Sequence, residues 1–267
     1  MFKLIVLLIV VAIVVIARKA KPAGEKSGHG FEGQLDTSYQ PEYLKVASYN
    51  IQTGKSEQGK RDLMASAEVI SKADLVGVQE VYGIGFDGLF TPNQAERLAE
   101  HGKFSWLFSA TRMRWFREHR GNAILSKLAV SDWRVEMLPD TSGKSFRNMT
   151  IAEVNWQGKQ FHFINTHLHT RGGREGQLEI VLQEFAKYPT AILLGDFNSR
   201  ADTSALSNAL KNIEIVDAVA MAGLDNENPD RIDWILTKGF TVEGGEMLDK
   251  GVSDHPYYQV TLSYSSK

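Results

Sequence analysis

Eight polar side chains of this 267-residue chain stand at or beside the ends of apolar runs. Asn50 closes "LKVASYN", Glu80 closes "DLVGVQE" and His167 closes "FHFINTH". Asp196 and Asn198 close "AILLGDFN", Asp233 lies within "RIDWIL", and Asp254 and His255 precede the last apolar run. A charge at the lip of a core is costly unless something pairs with it. Taken singly, an Asp or Asn at a strand end is more often a turn former than a ligand, and a lone strand histidine is usually a satisfied core residue. Taken together, groups at strand ends converge on one edge of a sheet. Their types suit one task. Carboxylates and amide oxygens without a thiol match a hard cation such as Mg2+. Two histidines and spare carboxylates match proton transfer near neutral pH. A phosphate ester needs both, a cation for its oxygens and a base for the attacking water. The pair His167 and His169 raises a zinc alternative, although no third histidine lies nearby.

These groups need strands to carry them. "LKVASYNI", "ADLVGVQEV", "GNAILSK", "MTIAEVNW", "KQFHFINTHLH", "TAILLGDF", "DRIDWILTKG" and "YYQVTLSY" read as strands. A turn at Gln157 and Gly158 joins two of them as a hairpin. Alternation along a strand points Asp196 and Asn198 the same way, with Phe197 turned back to the core. Leu63, Ala67 and Ile70 have helical spacing, as do Leu178, Val181, Leu182 and Phe185. "TPNQAERLAEHG" predicts a helix with Thr91 as N-cap, Pro92 in the first turn and Gln94 completing a capping box. "DTSALSNALK" predicts another, capped by Asp202. Strands and helices do not alternate strictly, so mixed sheets packed face to face with outer helices are expected, not a doubly wound parallel sheet.

The bulk composition is unexceptional. A 43% hydrophobic chain with formal charge -2 advertises neither disorder nor a global nucleic-acid surface. The absence of cysteine excludes disulfides, thiolate chemistry and cysteine-ligated zinc. The N-terminus departs from this profile. An uninterrupted apolar run extends from Leu4 to Ala17, between Lys3 and the cations Arg18, Lys19 and Lys21. A cleaved signal peptide and an uncleaved membrane anchor both fit. The anchor is favoured, because no polar cleavage region precedes Ala17, although the run is short for a span. Residues 1–17 are thus read as anchor or signal, 18–43 as a linker, and 44–267 as the catalytic domain. Inner-membrane, periplasmic or secreted placement follows from this reading, with the side of the membrane left open.

The strand-end set resembles the endonuclease/exonuclease/phosphatase superfamily, with its deoxyribonuclease-I-like fold. The matching stretches are "ASYNIQTG", "LVGVQEV", "GNAILSK", "INTHL", "ILLGDFNS", "RIDWIL" and "VSDHPY", in the family's order from residue 44 to about 262. The resemblance implies an α/β fold, a four-layer α/β/β/α sandwich of two mixed sheets flanked by helices. It implies a divalent-metal-dependent hydrolase of phosphate esters, using Mg2+ or, as a substitute, Mn2+. Asn50, Glu80 and Asp254 would hold the metal. His255 would be general base, oriented by Asp233, and His167 would hydrogen-bond the scissile phosphate. Asp196 and Asn198 would position the nucleophile and a phosphate oxygen. Members specialised for abasic DNA carry an acid two positions after the first asparagine, where this chain has Gln52. Pro256 directly follows His255, unlike the usual order, which bears on the local geometry there.

The substrate must be sought elsewhere. Lys103, Arg112, Arg114, Arg117, Arg120 and Lys127 face one acid, Glu118, with Trp106, Trp115 and Phe116 interleaved. Such a segment binds a nucleic-acid backbone or lipid headgroups, or is simply a solvated loop with core aromatics. Arg120, Asn122 and Arg147 are the candidate substrate contacts, each at or near the start of a strand. Nucleic acid, a phospholipid or sugar phosphate at a membrane, and a non-catalytic binding module are the three readings left, the last weakest because every expected catalytic type is present.

Overall fold

A computed structural model describes residues 2–83, 93–114, 117–140 and 146–265. Its described strands form two seven-stranded sheets. Sheet one runs β1 (Lys21–Pro22), β5 (Ser105–Arg114), β6 (Arg117–Ser126), β4 (Leu75–Gly83), β3 (Leu44–Asn50), β14 (Tyr257–Tyr264) and β13 (Phe240–Leu248). Sheet two runs β11 (Val216–Asp217), β12 (Asp233–Lys238), β10 (Ala191–Asp196), β9 (Lys159–His167), β8 (Arg147–Trp156), β7 (Ala129–Leu138) and β2 (Lys26–His29).

Period-two alternation sorts the side chains into layers. Along β10, Ile192 and Leu194 enter the cluster between the sheets, with Val46, Leu75, Phe163 and Ile235. Ala191 and Leu193 point the other way, into a second cluster with Leu178, Val181, Leu182 and Phe185 of α4 (Arg174–Ala186). On sheet one, Ala47, Tyr49, Val76 and Val78 pack outward against α2 (Leu63–Ile70) and α3 (Gln94–Gly102). Three apolar interfaces therefore separate four layers, α/β/β/α, as expected for the deoxyribonuclease-I-like sandwich. The predicted hairpin is also present: β8 and β9 pair antiparallel across Gln157 and Gly158, both at positive φ.

Helix caps differ from expectation. Thr91 and Pro92 lie outside the described residues, as do Trp115 and Phe116. The described cap of α3 is Asn93, whose side chain accepts from the Ala95 N–H at 3.0 Å. The helix after β10, α5 (Ser204–Ala209), starts one residue beyond the expected Asp202, with Thr203 at the cap. β5, β7 and β13 were not expected; their mixed polar sequences show little alternation.

The segment expected to be a linker is strapped to the domain. Lys21 and Pro22 pair with Met113 and Arg112 of β5, and Lys26–His29 pairs with β7. Glu32 then returns to bridge Trp106 of β5. The strap covers edges that would otherwise expose unpaired backbone groups. Its Gly/Ser-rich pieces are too short to show a period, which is why sequence patterning missed them. The apolar N-terminus forms α1 (Phe2–Arg18), 17 residues and about 25 Å long. The expected membrane-spanning helix is not supported: among the described residues, no helix is long and apolar enough to cross a membrane.

Candidate active site

Two parallel pairs bring the site together. β3 lies parallel to β4, and β9 parallel to β10, so their C-terminal ends finish on one side of the molecule. Register does the rest. Asp196 stands opposite His167 on β9 and opposite Asp233 on β12. Neighbouring strands are about 4.8 Å apart, so these three side chains are lateral neighbours. All three share the parity of the inward-facing residues on their strands, as does Asn50 with Val46 on β3. The last inward side chains of both sheets therefore meet at one rim of the sandwich.

Asp196, 1% exposed, is the hub. Its Oδ2 accepts from Asn50 Nδ2 at 3.1 Å, across the gap between the sheets. His167 Nε2 lies 3.2 Å and His255 Nε2 3.7 Å from the same oxygen. The other oxygen, Oδ1, accepts from the backbone N–H of Asn198 at 2.9 Å. Burial raises the Asp196 pKa, helped by repulsion from Asp233 and opposed by His255 and the two hydrogen bonds. His167 is driven the other way: burial, then the nearby charge of Arg147, holds it well below the ordinary histidine value, so it is neutral.

His255 is bound by the opposite balance. Burial disfavours its charge, but its hydrogen bond to Asp233 and the carboxylates of Asp233, Asp196 and Asp254 prevail and raise its pKa to about 9. Nδ1 lies 2.8 Å from Asp233 Oδ2, leaving Nε2 turned toward Asp196. Pro256 does not disturb this placement. Ser253 ties the segment down: its Oγ donates to the Asn50 carbonyl at 2.7 Å and accepts from the His255 N–H at 3.3 Å.

Glu80 reaches the site through a distortion. The β4–β6 ladder shifts register between Val78 and Val81, and Glu80 sits there at φ +56°. A non-glycine residue held in this region marks local strain, and bulges re-aim side chains. Glu80 then lines a cleft of ≈ 140 Å³ together with His167, Arg112, Arg120, Arg147 and Phe146. Arg120 is braced by Tyr82, whose hydroxyl accepts from Nη2 at 2.7 Å beneath a cation–π contact at 5.0 Å. Burial weighs against the Arg147 charge, while Asp196, Glu80 and Asp140 support it. Beyond His255 opens a second cavity of ≈ 650 Å³, whose walls include Asp225, Asp230, Asp249 and Asp254.

Two expected contacts are placed differently. Asn198 follows the end of β10 at φ +49°, so strand alternation does not set its direction. Its Nδ2 donates to the Leu168 carbonyl at 3.1 Å, while Phe197 is fully buried as expected. Asn122 is 1% exposed and donates to Asn148 Oδ1 at 3.1 Å, so it stands behind the cleft. Residues that sequence reasoning missed include Tyr82, Thr53, Thr111, Phe146 and Ser253. Tyr82 lies two residues beyond Glu80, and Ser253 directly before Asp254; that adjacency was their only signal.

The residues fit a divalent cation. Asn50 Oδ1, Glu80 and Asp254 are hard oxygen donors, and Gln52 Oε1 is buried nearby without a hydrogen-bond partner. Gln52 Nε2 donates to Asp254 Oδ2 at 2.7 Å. Among the described Asp, Glu and His residues, the side chains whose ligand atoms converge are Asp196, Asp233 and His255. The Asp233–His255 hydrogen bond accounts for much of that convergence. His169 is absent from it, and its Nδ1 accepts from the Arg171 N–H at 2.9 Å, so the zinc alternative gains no support.

The sequence profile of the Endonuclease/Exonuclease/phosphatase family matches residues 47–255. No curated protein sequence matches significantly. Among solved structures, an endonuclease/exonuclease/phosphatase from Beutenbergia cavernae superposes with TM-score 0.67 at 21% identity, covering 85% of this chain and 72% of its own. A mannosyl-6-phosphatase from Bacteroides thetaiotaomicron gives 0.63 at 18%, covering 83% and 100%. D. rerio TDP2, complexed with a single-strand DNA product, gives 0.59 at 18%, covering 84% and 100%.

Proposed function

Because the chain belongs to the endonuclease/exonuclease/phosphatase family, we propose that it is a Mg2+-dependent phosphoesterase that hydrolyses a phosphodiester with water activated by His255. The observation that carries this reading is the Asp233–His255–Asp196 line, with Nδ1 fixed at 2.8 Å and Nε2 directed into the site. Asp233 fixes the ring orientation and pairs with Nδ1; because the ring's pKa is raised to about 9, Nε2 carries a proton at neutral pH and accepts one from water only after that proton has left. His167, neutral and buried, donates from a ring N–H to a phosphate oxygen without adding charge. Arg120 and Arg147 bind the remaining oxygens, and Glu80, Asn50 and Asp254 would hold the cation. When bound, that cation neutralises phosphate charge and favours the deprotonated form of its neighbours.

The first substrate reading is a nucleic-acid backbone, supported by the three arginines along the cleft. The second is a phospholipid or sugar phosphodiester. The larger cavity favours it, because its acids Asp225, Asp230, Asp249 and Asp254 outnumber its cations Arg231 and Lys250 and suit a hydroxylated or cationic leaving arm better than a further phosphate. The test is hydrolysis of plasmid DNA, RNA and phospholipid vesicles by the full chain, with Mg2+ or with chelator. Glu80→Ala and His255→Ala should each abolish divalent-dependent hydrolysis; unchanged rates in both would overturn the site. Nicking suppressed by salt supports nucleic acid, and turnover confined to vesicles supports the second reading.

A further inference from the structure

α1 has no polar face. From Leu4 to Val15 its bulky side chains are each 42–62% exposed, around the whole helix. A helix apolar on every side belongs in a core or in lipid, and a patch of this size marks an interaction surface. Nothing polar within the run could fix the register of a protein partner, whereas coiled coils use such residues to choose partners. The flanks are cationic, with Lys3 before the run and Arg18, Lys19 and Lys21 after it. Cations at the foot of an apolar helix complement anionic headgroups.

The strap adds what sequence alone does not show. Only Lys19 and Ala20 separate α1 from β1, so the helix foot lies within about 11 Å of Lys21. Lys21 and Pro22 are paired to Met113 and Arg112, and the Ala23 N–H donates to the Thr111 carbonyl at 3.1 Å. Thr111 and Arg112 line the same cleft as Glu80 and His167. A free linker over residues 18–43 would let the domain tumble far from its attachment. Here the attachment point is the cleft's own wall, secured again through β2 and Glu32.

We propose that α1 docks this protein on an anionic lipid surface, and that the β1–β2 strap holds the catalytic cleft against that surface. The helix enters the acyl layer without crossing it, and the phosphodiester is taken where it is presented, at the headgroup level. Docking stands independently of the hydrolytic reading; only the second part rests on it.

The experiment uses the full chain with vesicles of phosphatidylcholine, with and without phosphatidylglycerol, and follows co-sedimentation. Wild type should bind the mixed vesicles more than tenfold better than Leu7→Asp/Val11→Asp, and better than it binds neutral ones. Both proteins should hydrolyse a soluble aryl phosphodiester equally, because neither position is in the cleft. A long Gly/Ser insertion between Ala20 and Lys21 should keep vesicle binding but lose the rate advantage on a vesicle-borne phosphodiester. Equal sedimentation of wild type and the double Asp variant overturns docking, as does self-association through α1 with no vesicle binding. An insertion with undiminished vesicle-borne turnover overturns the strap's role. Docking without hydrolysis of any phosphodiester sinks the enzymatic reading and leaves docking standing.

Discussion

Glu80 is held at φ +56° inside a strand that is otherwise regular, and its carboxylate is delivered to the cleft by that distortion. Glu80→Ala should therefore lower kcat by at least about a hundredfold, and added Mg2+ should no longer raise the thermal midpoint. His255→Ala should lower kcat by about 10²–10⁴-fold while keeping the Mg2+-dependent midpoint, since it removes a proton-transfer group and no expected ligand. Arg120 is a different kind of residue. It is exposed, braced on one side by Tyr82, and faces a ground-state charge. Arg120→Ala should raise KM by about tenfold with kcat nearly unchanged, and Tyr82→Phe should do so by a smaller factor; steady-state kinetics separates the two parameters. A fall in kcat with KM unchanged would mean Arg120 acts on the transition state instead.

At the scale of elements, close approach of β9 and β10 determines where Asp196 sits. Gly195 lies at φ +137°, and a Cβ there would fall 1.9 Å from the Thr166 carbonyl oxygen. Gly195→Ala must push the strands apart at the residue before the hub, at a cost of about 1–3 kcal/mol. The urea midpoint should fall accordingly, and activity should fall further than stability. The parallel pairing that creates this approach was not legible in the sequence. The apolar runs were, because β3, β4, β9, β10 and β12 are buried on both faces and read as continuous hydrophobic stretches. β5 and β7 were missed because polar residues break up their apolar ones: β7 is half-buried along most of its length, and β5 alternates buried with half-buried positions only over its middle. The site's membership was legible for a related reason: Asn50, Glu80, His167, Asp196 and Asp233 are polar residues that end or begin such runs. Asn198 and Asn122 were harder to place, since one depends on a left-handed turn and the other on a hydrogen bond to Asn148. No local pattern specifies either.

At the scale of the molecule, the site draws on both sheets, so a ligand held there joins them. Mg2+ binding to Asn50, Glu80 and Asp254 should stabilise the native state by about RT ln(1 + [Mg2+]/Kd), and chelator should remove that stabilisation and lower the thermal midpoint. Acid sensitivity has a separate source on the outer face of sheet two. Burial disfavours the Glu184 charge, yet Lys187, Tyr188 and Arg134 hold its pKa below the usual carboxylate value. Arg134 Nη2 and Tyr188 OH approach its Oε1 at 2.5 and 2.6 Å. A depressed native pKa means that the unfolded state binds more protons. The stabilisation is thus complete above the unfolded value of about 4.3 and is lost as pH falls through the native one. Glu184→Gln should lower the urea midpoint at pH 7, and the gap to wild type should close below about pH 4. A gap of constant size would show that the carboxylate's charge contributes nothing.

The position of β14 has a consequence for the chain as it is made. This strand, residues 257–264, inserts between β3 and the edge strand β13 of sheet one, and the segment leading into it carries Asp254 and His255. β3, made more than two hundred residues earlier, must wait with one edge open until that strand emerges from the ribosome. Its partner on the other side, β4, is available almost at once. A nascent chain can thus assemble five strands of sheet one and all of sheet two while lacking both the proposed base and one proposed cation ligand. On the proposed mechanism, hydrolysis would be withheld until translation has passed residue 255, and a copy interrupted upstream of that point should be chemically silent.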